Sequence, residues 1–202
     1  MMRLTRSILI AGLLAPGVLS AQTADPSACW LRDTTPEEAM ARTSPFEAVA
    51  IPLGGHTAQF CYSRPSARDR EVVGNLIPLG EPWRMGANEA TQLVLPMAAE
   101  VGGLSLDPGT YSVYVIAGEE NWEIVLNSNY ERWGIPVDAG VRSTDVGSVT
   151  RPVQTADDFV ETFTVTFEPH GDMMGHLVME WADVHVELPI HAAGMDHGAA
   201  DR

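Results

Sequence analysis

The chain of 202 residues contains no lysine, and all 12 of its basic residues are arginine. A Schiff-base mechanism, which needs a lysine amine, is therefore excluded. Against the arginines stand 27 acidic residues, which gives a net charge of −15. Because nucleic acids and anionic lipid surfaces are bound by basic surfaces, we expect neither as a partner.

The common catalytic and cofactor motifs are also missing. The sequence has no G-x-S-x-G, H-E-x-x-H, C-x-x-C, G-x-G-x-x-G or Walker-type motif. Their absence removes support for α/β-hydrolases, zinc peptidases, thioredoxin-like oxidoreductases and nucleotide-binding folds. We expect no cofactor, and the sequence does not identify the protein as an enzyme.

Residues 1–21 have the pattern of a secretory signal peptide. Arg3 and Arg6 give a positive start, residues 8–19 are apolar, and small residues follow. The apolar run of about a dozen residues is shorter than the roughly 20 that a membrane-spanning helix needs, so we expect no stable membrane span. Cleavage would remove two arginines and no acid, which changes the net charge to −17. We predict an exported protein, periplasmic or extracellular.

The only cysteines are Cys29 and Cys61. Outside the cytosol two thiols can pair. The sequence leaves two alternatives open: a disulfide that joins the N-terminal arm to the first strands, or two separate thiols.

The remaining chain divides into three parts. Residues 22–44 are polar and rich in turn signals, which predicts a linker or arm, with one short helix capped by Thr35 and begun by Pro36. Residues 45–190 show alternating hydrophobicity and form the predicted domain. Residues 191–202 are small, polar and unpatterned, and we expect a disordered tail that contains His and Met.

Alternation with period two indicates the fold class. Ala58, Phe60 and Tyr62 share one face of a run that we expect to be a half-buried strand. This run spans residues 56–63, and similar runs occur at residues 91–96, 111–116, 122–126, 159–167 and 183–188. Many short strands without helical periodicity predict an all-β fold, an antiparallel sandwich or a barrel-like domain of about eight or nine strands.

One segment differs in charge from the rest of the domain. Between Arg64 and Thr91 four arginines accompany four acidic residues, although the chain as a whole is strongly acidic. Gly and Pro make this a connection of more than 20 residues, and connections of that length are usually functional or disordered. Its Trp, Ile, Val and Leu residues predict that it is ordered.

The same segment carries a recognisable pattern. It reads Tyr62-x-Arg64-Pro65, Arg70, and Gly74-x-Leu76-x-Pro78-x-Gly80-x-x-Trp83-Arg84-x-Gly86-Ala87-Asn88-Glu89-Ala90-Thr91, with further matches at Pro108-Gly109-Thr110-Tyr111-Ser112, Trp122, Asn127 and Trp133-Gly134. On these residues the chain resembles the DUF2911 family of bacterial exported proteins, over roughly residues 44–190. The resemblance implies a secreted, periplasmic or lipid-anchored single domain of unassigned function, and it supplies no catalytic residues.

Two interpretations of the segment remain open. Guanidinium groups form paired bonds with anions and with sugar hydroxyls, and a Trp ring offers a flat face for stacking. The segment would then bind a small polar or anionic ligand, such as a sugar or a cell-envelope fragment. The candidate residues are Arg64, Arg68, Arg70, Trp83, Arg84, Asn88 and Glu89.

In the other interpretation the same residues form a structural lock that pins the connection across the domain, for instance through an Arg84–Glu89 ion pair. The protein would then be a structural or interaction domain of the cell envelope. A glycan- or wall-acting hydrolase is a further alternative, in which Glu89 is the general acid or base, although the sequence identifies no partner for it.

A last alternative is a periplasmic Cu(I)-binding protein. Thioether and imidazole ligands together suit Cu(I). The weak candidates are His170, Met173, Met174 and His176.

Overall fold

Residues 23–194 are described by a computed structural model, and they form eleven β-strands and little helix. In chain order the strands are β1 (Phe46–Leu53), β2 (His56–Ser63), β3 (Pro82–Trp83), β4 (Thr91–Leu95), β5 (Ala99–Val101), β6 (Leu104–Leu106), β7 (Gly109–Ala117), β8 (Asn121–Asn127), β9 (Asp145–Pro152), β10 (Gln154–Pro169) and β11 (Met174–Ala192). A 3-10 turn (Pro26–Ala28) and the short helices α1 (Pro36–Met40) and α2 (Ala139–Arg142) complete the elements. No helix within residues 23–194 is both long and apolar enough to cross a membrane.

The strands form two antiparallel sheets. The larger sheet has the order β1-β2-β4-β7-β8-β9, with β3 also paired to β7, and the smaller has the order β10-β11-β5-β6. The predicted antiparallel sandwich is confirmed, and within the described residues the sheets do not close into a barrel. The count exceeds the eight or nine strands predicted because β3, β5 and β6 have only two or three residues each, too few to show alternation.

The core lies between the two sheets and is centred on aromatic rings. Trp83 and Trp181 are stacked with their centroids 5.8 Å apart, and Phe163 meets Trp83 edge-on at 5.3 Å. Trp122 joins the same group from β8. These rings come from both sheets, so the cluster joins the two halves of the sandwich.

Part of the outer face of the larger sheet, at β2, is also covered. The prediction that β2 is half-buried is wrong, because its last six residues, Ala58–Ser63, are buried on both faces. The N-terminal arm packs on this outer face, where Cys29, Ala39, Phe46 and Cys61 form a second, smaller core. Cys29 and Cys61 are joined by a disulfide, with their Cα atoms 6.1 Å apart.

Local chemistry explains the single helix of the arm. Thr35 caps α1, accepting a hydrogen bond from the Glu38 amide, while the Glu38 carboxylate accepts one from the Thr35 amide. Pro36 occupies the first turn, where its missing amide proton costs nothing. This capping box is the helix start predicted from the sequence.

Strand β11 folds back on itself. The Ala192 amide donates to the Met173 carbonyl at 2.9 Å, although an extended strand of that length would span about 60 Å. Ala182, with φ of 55°, lies near the middle of the strand. β11 continues to Ala192, two residues into the predicted tail. Residues 195–202 and the predicted signal peptide lie outside the described residues.

Candidate functional site

The connection from β2 to β4 joins the two sheets. Next to Arg64, the backbone forms a bridge between Ser66 and Thr162 of β10, and the hydroxyl groups of this pair lie 2.8 Å apart. The Phe163 amide donates to the Pro65 carbonyl at 2.9 Å. The segment predicted to be ordered is therefore ordered, and it begins by crossing from the larger sheet to the smaller one.

Arg64 stabilises this crossing. Its Nη1 lies 2.9 Å from the Glu47 carboxylate on β1, and its Nη2 donates to the Thr164 hydroxyl at 2.9 Å. The ion pair is only partly shielded, with the two side chains 31% and 38% exposed. Arg64 thus links an edge strand of the larger sheet to β10.

Arg68 and Arg70 bind the backbone of their own segment and of the arm. The Arg70 guanidinium donates to the carbonyls of Ala67 and Ser66 at 2.9 and 2.8 Å. Arg68 donates more weakly, at 3.4 Å, to the Thr43 carbonyl of the arm. Both side chains thus have carbonyl partners within the protein.

Trp83, the last residue of β3, and Arg84, which follows it, lie in different surroundings. The Trp83 side chain is 7% exposed and its faces pack in the aromatic core, so the structure gives no open face for stacking. Arg84 is half-buried and donates from Nε to the Gly86 carbonyl at 3.1 Å. Its burial lowers the pKa of the guanidinium. Its aliphatic part packs directly over Gly134, where a Cβ would collide with Arg84 Cδ.

Asn88 holds a strained corner of the segment. Its φ of 61° lies in the left-handed region, which Asn tolerates better than most residues. The side-chain amide donates to the Ser44 carbonyl at 3.2 Å, and the Asn88 carbonyl accepts from the Gly134 amide at 2.8 Å. Asn88 therefore fastens the end of the arm to the connection that follows β8.

Glu89 is buried, with 5% exposure, and both of its carboxylate oxygens are occupied. Oε1 accepts from the Arg32 amide at 3.2 Å, and Oε2 pairs with Arg42 Nη1 at 2.7 Å. The ion pair predicted between Arg84 and Glu89 is wrong, because the partner of Glu89 is Arg42 in the arm. No local pattern links positions that are 47 residues apart.

Two glutamines that the sequence analysis missed act in the same way. Gln92 accepts from the Trp30 amide at 2.9 Å and donates to the Trp30 carbonyl at 2.8 Å. Gln59 accepts from the Asp25 amide at 2.5 Å. We call Gln59, Glu89 and Gln92 the arm clamp. Gln59 and Gln92 lie in predicted strands, but nothing in the sequence near them indicates their partners in the arm.

The space next to two members of the arm clamp, Glu89 and Gln92, is closed. The gap beside Glu89 and Gln92, lined also by Tyr62 and Ser63, is too small to hold a water molecule. A general acid or base must reach its substrate. In the part of the chain that the structure describes, protein atoms surround the Glu89 carboxylate. The arrangement can hold the arm, and it offers no route for a substrate to Glu89.

Of the Cu(I) candidates, His170 and Met173 lie in the turn between β10 and β11, and Met174 and His176 lie at the start of β11. The rings of His170 and His176 are 4.6 Å apart, and His176 Nδ1 lies 2.8 Å from the Glu187 carboxylate. Met173 is partly buried and packs against the main core. Among residues 23–194, no group of three or more His, Cys, Asp or Glu side chains is arranged to hold a metal ion.

One protein family matches the chain. The sequence model described as "Protein of unknown function (DUF2911)" matches residues 44–190. That region begins just before β1 and ends within β11, so it spans both sheets and the whole motif segment. No curated protein and no solved structure matches the chain.

Proposed function

The chain belongs to the DUF2911 family, and from the geometry of its motif segment we propose that it is an exported, non-enzymatic interaction domain of the cell envelope. In this proposal the motif segment is a structural lock that fastens the arm and the two sheets together. Contacts between the domain and other molecules would then be made by the surface outside the motif segment.

The observation that carries the proposal is the environment of Glu89. This residue is the one carboxylate of the motif considered for acid–base catalysis, and both of its oxygens accept hydrogen bonds from the arm. A catalytic carboxylate must be free to exchange a proton with substrate or water. A carboxylate that holds Arg32 and Arg42 in place serves stability instead.

Other motif residues also make their contacts within the protein. The partners of Arg64, Arg70 and Asn88 are protein carbonyls, a hydroxyl and one carboxylate, and those of Arg64 and Asn88 lie on segments that are distant in sequence. A ligand at these groups would have to replace bonds that the protein already makes. This favours the lock over the polar or anionic ligand site.

Export is supported by the leader pattern of residues 1–21 and by the Cys29–Cys61 disulfide, which persists in oxidising compartments. A fusion of alkaline phosphatase to the C-terminus tests it, because that enzyme is active only where its own disulfides form. We expect activity with residues 1–21 present and little without them. Equal activity of the two fusions contradicts export through this segment.

Asn88 distinguishes the lock from a ligand site. Asn88→Ala loses the bond to Ser44 and places a less tolerant residue at positive φ, so we expect a loss of about 2 kcal/mol in the free energy of unfolding. The matched variant Asn88→Gly loses the bond without the backbone strain, and we expect it to lose about 1 kcal/mol less than Asn88→Ala.

Urea unfolding of the purified protein measures both variants, with thermal shifts against a panel of sugars, peptides and anions measured in parallel. Unchanged stability of Asn88→Ala, together with loss of a ligand-induced shift that the unmodified protein shows, would contradict the lock and support the ligand site.

A further inference from the structure

An open groove lies beyond the motif segment, between the N-terminal arm and the connection from β8 to β9. Its volume is about 460 Å³, within the usual range for small-molecule sites. The lining side chains include Trp30, Thr34, Thr110, Tyr130 and Glu131. None of these belongs to the candidate site predicted from the sequence.

One wall of the groove is held by the arm clamp. The Trp30 backbone makes two hydrogen bonds to the Gln92 side chain, at 2.9 and 2.8 Å. The preceding residue, Cys29, is tied to β2 by the disulfide. Trp30 as a whole residue is nevertheless only partly buried. An aromatic residue that lines the groove is thus fixed at its backbone, and this lowers the entropy cost of binding.

The part of the groove lined by Tyr130 and Glu131 is held by Arg132. Its Nε donates to the Asn129 carbonyl at 3.1 Å, and its backbone amide donates to the Tyr130 carbonyl at 2.8 Å. The Ser112 hydroxyl of β7 donates to the same Asn129 carbonyl at 2.9 Å. Tyr130, which is partly buried, therefore stands on a turn that is anchored to the larger sheet.

The electrostatics of the groove favour a cation. Among the lining residues Glu131 alone carries a charged side chain, and it is exposed. Burial and then the Glu131 carboxylate raise the pKa of Tyr130, so the phenol lies within the field of that carboxylate. The chain as a whole has a net charge of −15, which attracts cations and repels anions.

We propose that this groove binds a small organic cation, an amine or a quaternary ammonium compound, between Trp30 and Tyr130, with Glu131 as the counter-charge. Aromatic faces attract such cations through their quadrupoles, Trp most strongly. The proposed ligand class is opposite in charge to the anionic class suggested by the arginines of the motif. It also goes beyond the lock, because it assigns a binding site to the surface that the lock positions.

The direct test is a titration of the purified protein with choline and with tetramethylammonium, followed by calorimetry and by proton NMR of the ligand methyl groups. We expect saturable binding and an upfield shift of the methyl signals, because they enter the ring currents of the two aromatic side chains. The neutral isostere of choline, with carbon in place of the ammonium nitrogen, has the same shape, and we expect it to bind about 5- to 30-fold more weakly.

Three variants locate the site. Trp30→Leu and Tyr130→Leu keep an apolar side chain and remove a ring, and we expect each to weaken choline binding about 5-fold. Glu131→Gln changes only an exposed side chain, so it tests the counter-charge without disturbing the fold, and we expect a similar loss. Phe159→Leu is the control, because Phe159 is 67% exposed on β10 and does not line the groove.

Three results would overturn the proposal. Absence of saturable binding for both cations is the first. Equal affinity for choline and its neutral isostere is the second, since it would show that the positive charge of the ligand does not contribute to binding. The third is unchanged choline affinity in Glu131→Gln and in both aromatic variants, measured on samples whose thermal unfolding shows that they are folded.

Discussion

Replacement of Glu89 by glutamine should destabilise the protein far more than the same replacement at Glu47. Both acids pair with an arginine, at 2.7 Å to Arg42 for Glu89 and at 2.9 Å to Arg64 for Glu47. They differ in burial, since the Glu89 side chain is 4% exposed and the Glu47 side chain is 38% exposed. Burial is therefore the main difference between the two ion pairs that the comparison tests.

The magnitude follows from what each substitution leaves behind. Loss of one partner of a buried ion pair costs about 3–5 kcal/mol, because the other charge remains desolvated. Arg42 is 24% exposed and can regain some hydration, so we expect the lower end, about 3 kcal/mol, for Glu89→Gln. Exposed pairs contribute about 0–1 kcal/mol, which is the loss expected for Glu47→Gln.

Urea unfolding followed by tryptophan fluorescence measures both losses, and urea, being uncharged, does not screen the ion pairs. A loss of about 3 kcal/mol should also lower the melting temperature by about 6–12 °C in a domain of this size. Adding Arg42→Met to Glu89→Gln should cost less than the sum of the single changes, with a coupling of about 1–3 kcal/mol. Equal stability of Glu89→Gln and the unmodified protein, or equal losses at Glu47 and Glu89, would refute the role of Glu89 in holding the arm.

Three further predictions concern other parts of the fold. Gly134→Ala should destabilise by about 1–3 kcal/mol in urea unfolding, because the new Cβ would lie 2.9 Å from the Asn88 carbonyl; unchanged stability would contradict this packing. Reduction of the disulfide should lower the melting temperature, since the bond closes a loop of 32 residues and should contribute about 2–4 kcal/mol; a melting temperature insensitive to reductant would contradict it. Burial alone would lower the pKa of His185, but its hydrogen bonds to Glu180 and Glu187 outweigh this effect and raise it. The stabilisation by His185 is therefore complete below its unfolded pKa of about 6.5, and it is lost as the pH rises through the higher folded pKa. We expect His185→Gln to lower the melting temperature more at about pH 6 than at about pH 8.5. Equal decreases at the two pH values would contradict this linkage.

The fold class and the longer strands could be predicted from the sequence because they depend on local periodicity. The run predicted at residues 56–63 is β2 as observed, and the helix start at Thr35 and Pro36 is also correct. In each case the pattern lies within a few residues of the chain and reflects backbone geometry.

The motif segment was identified from its unusual charge balance and its family pattern, but its contacts were not. An arginine and a glutamate in one segment suggested a pair between Arg84 and Glu89, whereas Glu89 pairs with Arg42. Trp83 looked available for stacking, and it lies in the core. Partners so distant in sequence leave no periodic signal, so their identity depends on which segments the fold brings together.

The sequence by itself determined the acidity of this protein, its all-β class, its family and the segment of interest, because these follow from composition and from short-range pattern. Only the tertiary structure decided that the arm covers part of the outer face of the larger sheet. That packing buries both faces of β2, joins Cys29 to Cys61 and turns Glu89 towards the arm. It also brings Trp30 and Tyr130, which are a hundred residues apart in the chain, to the lining of one groove, because burial and pairing depend on three-dimensional neighbours.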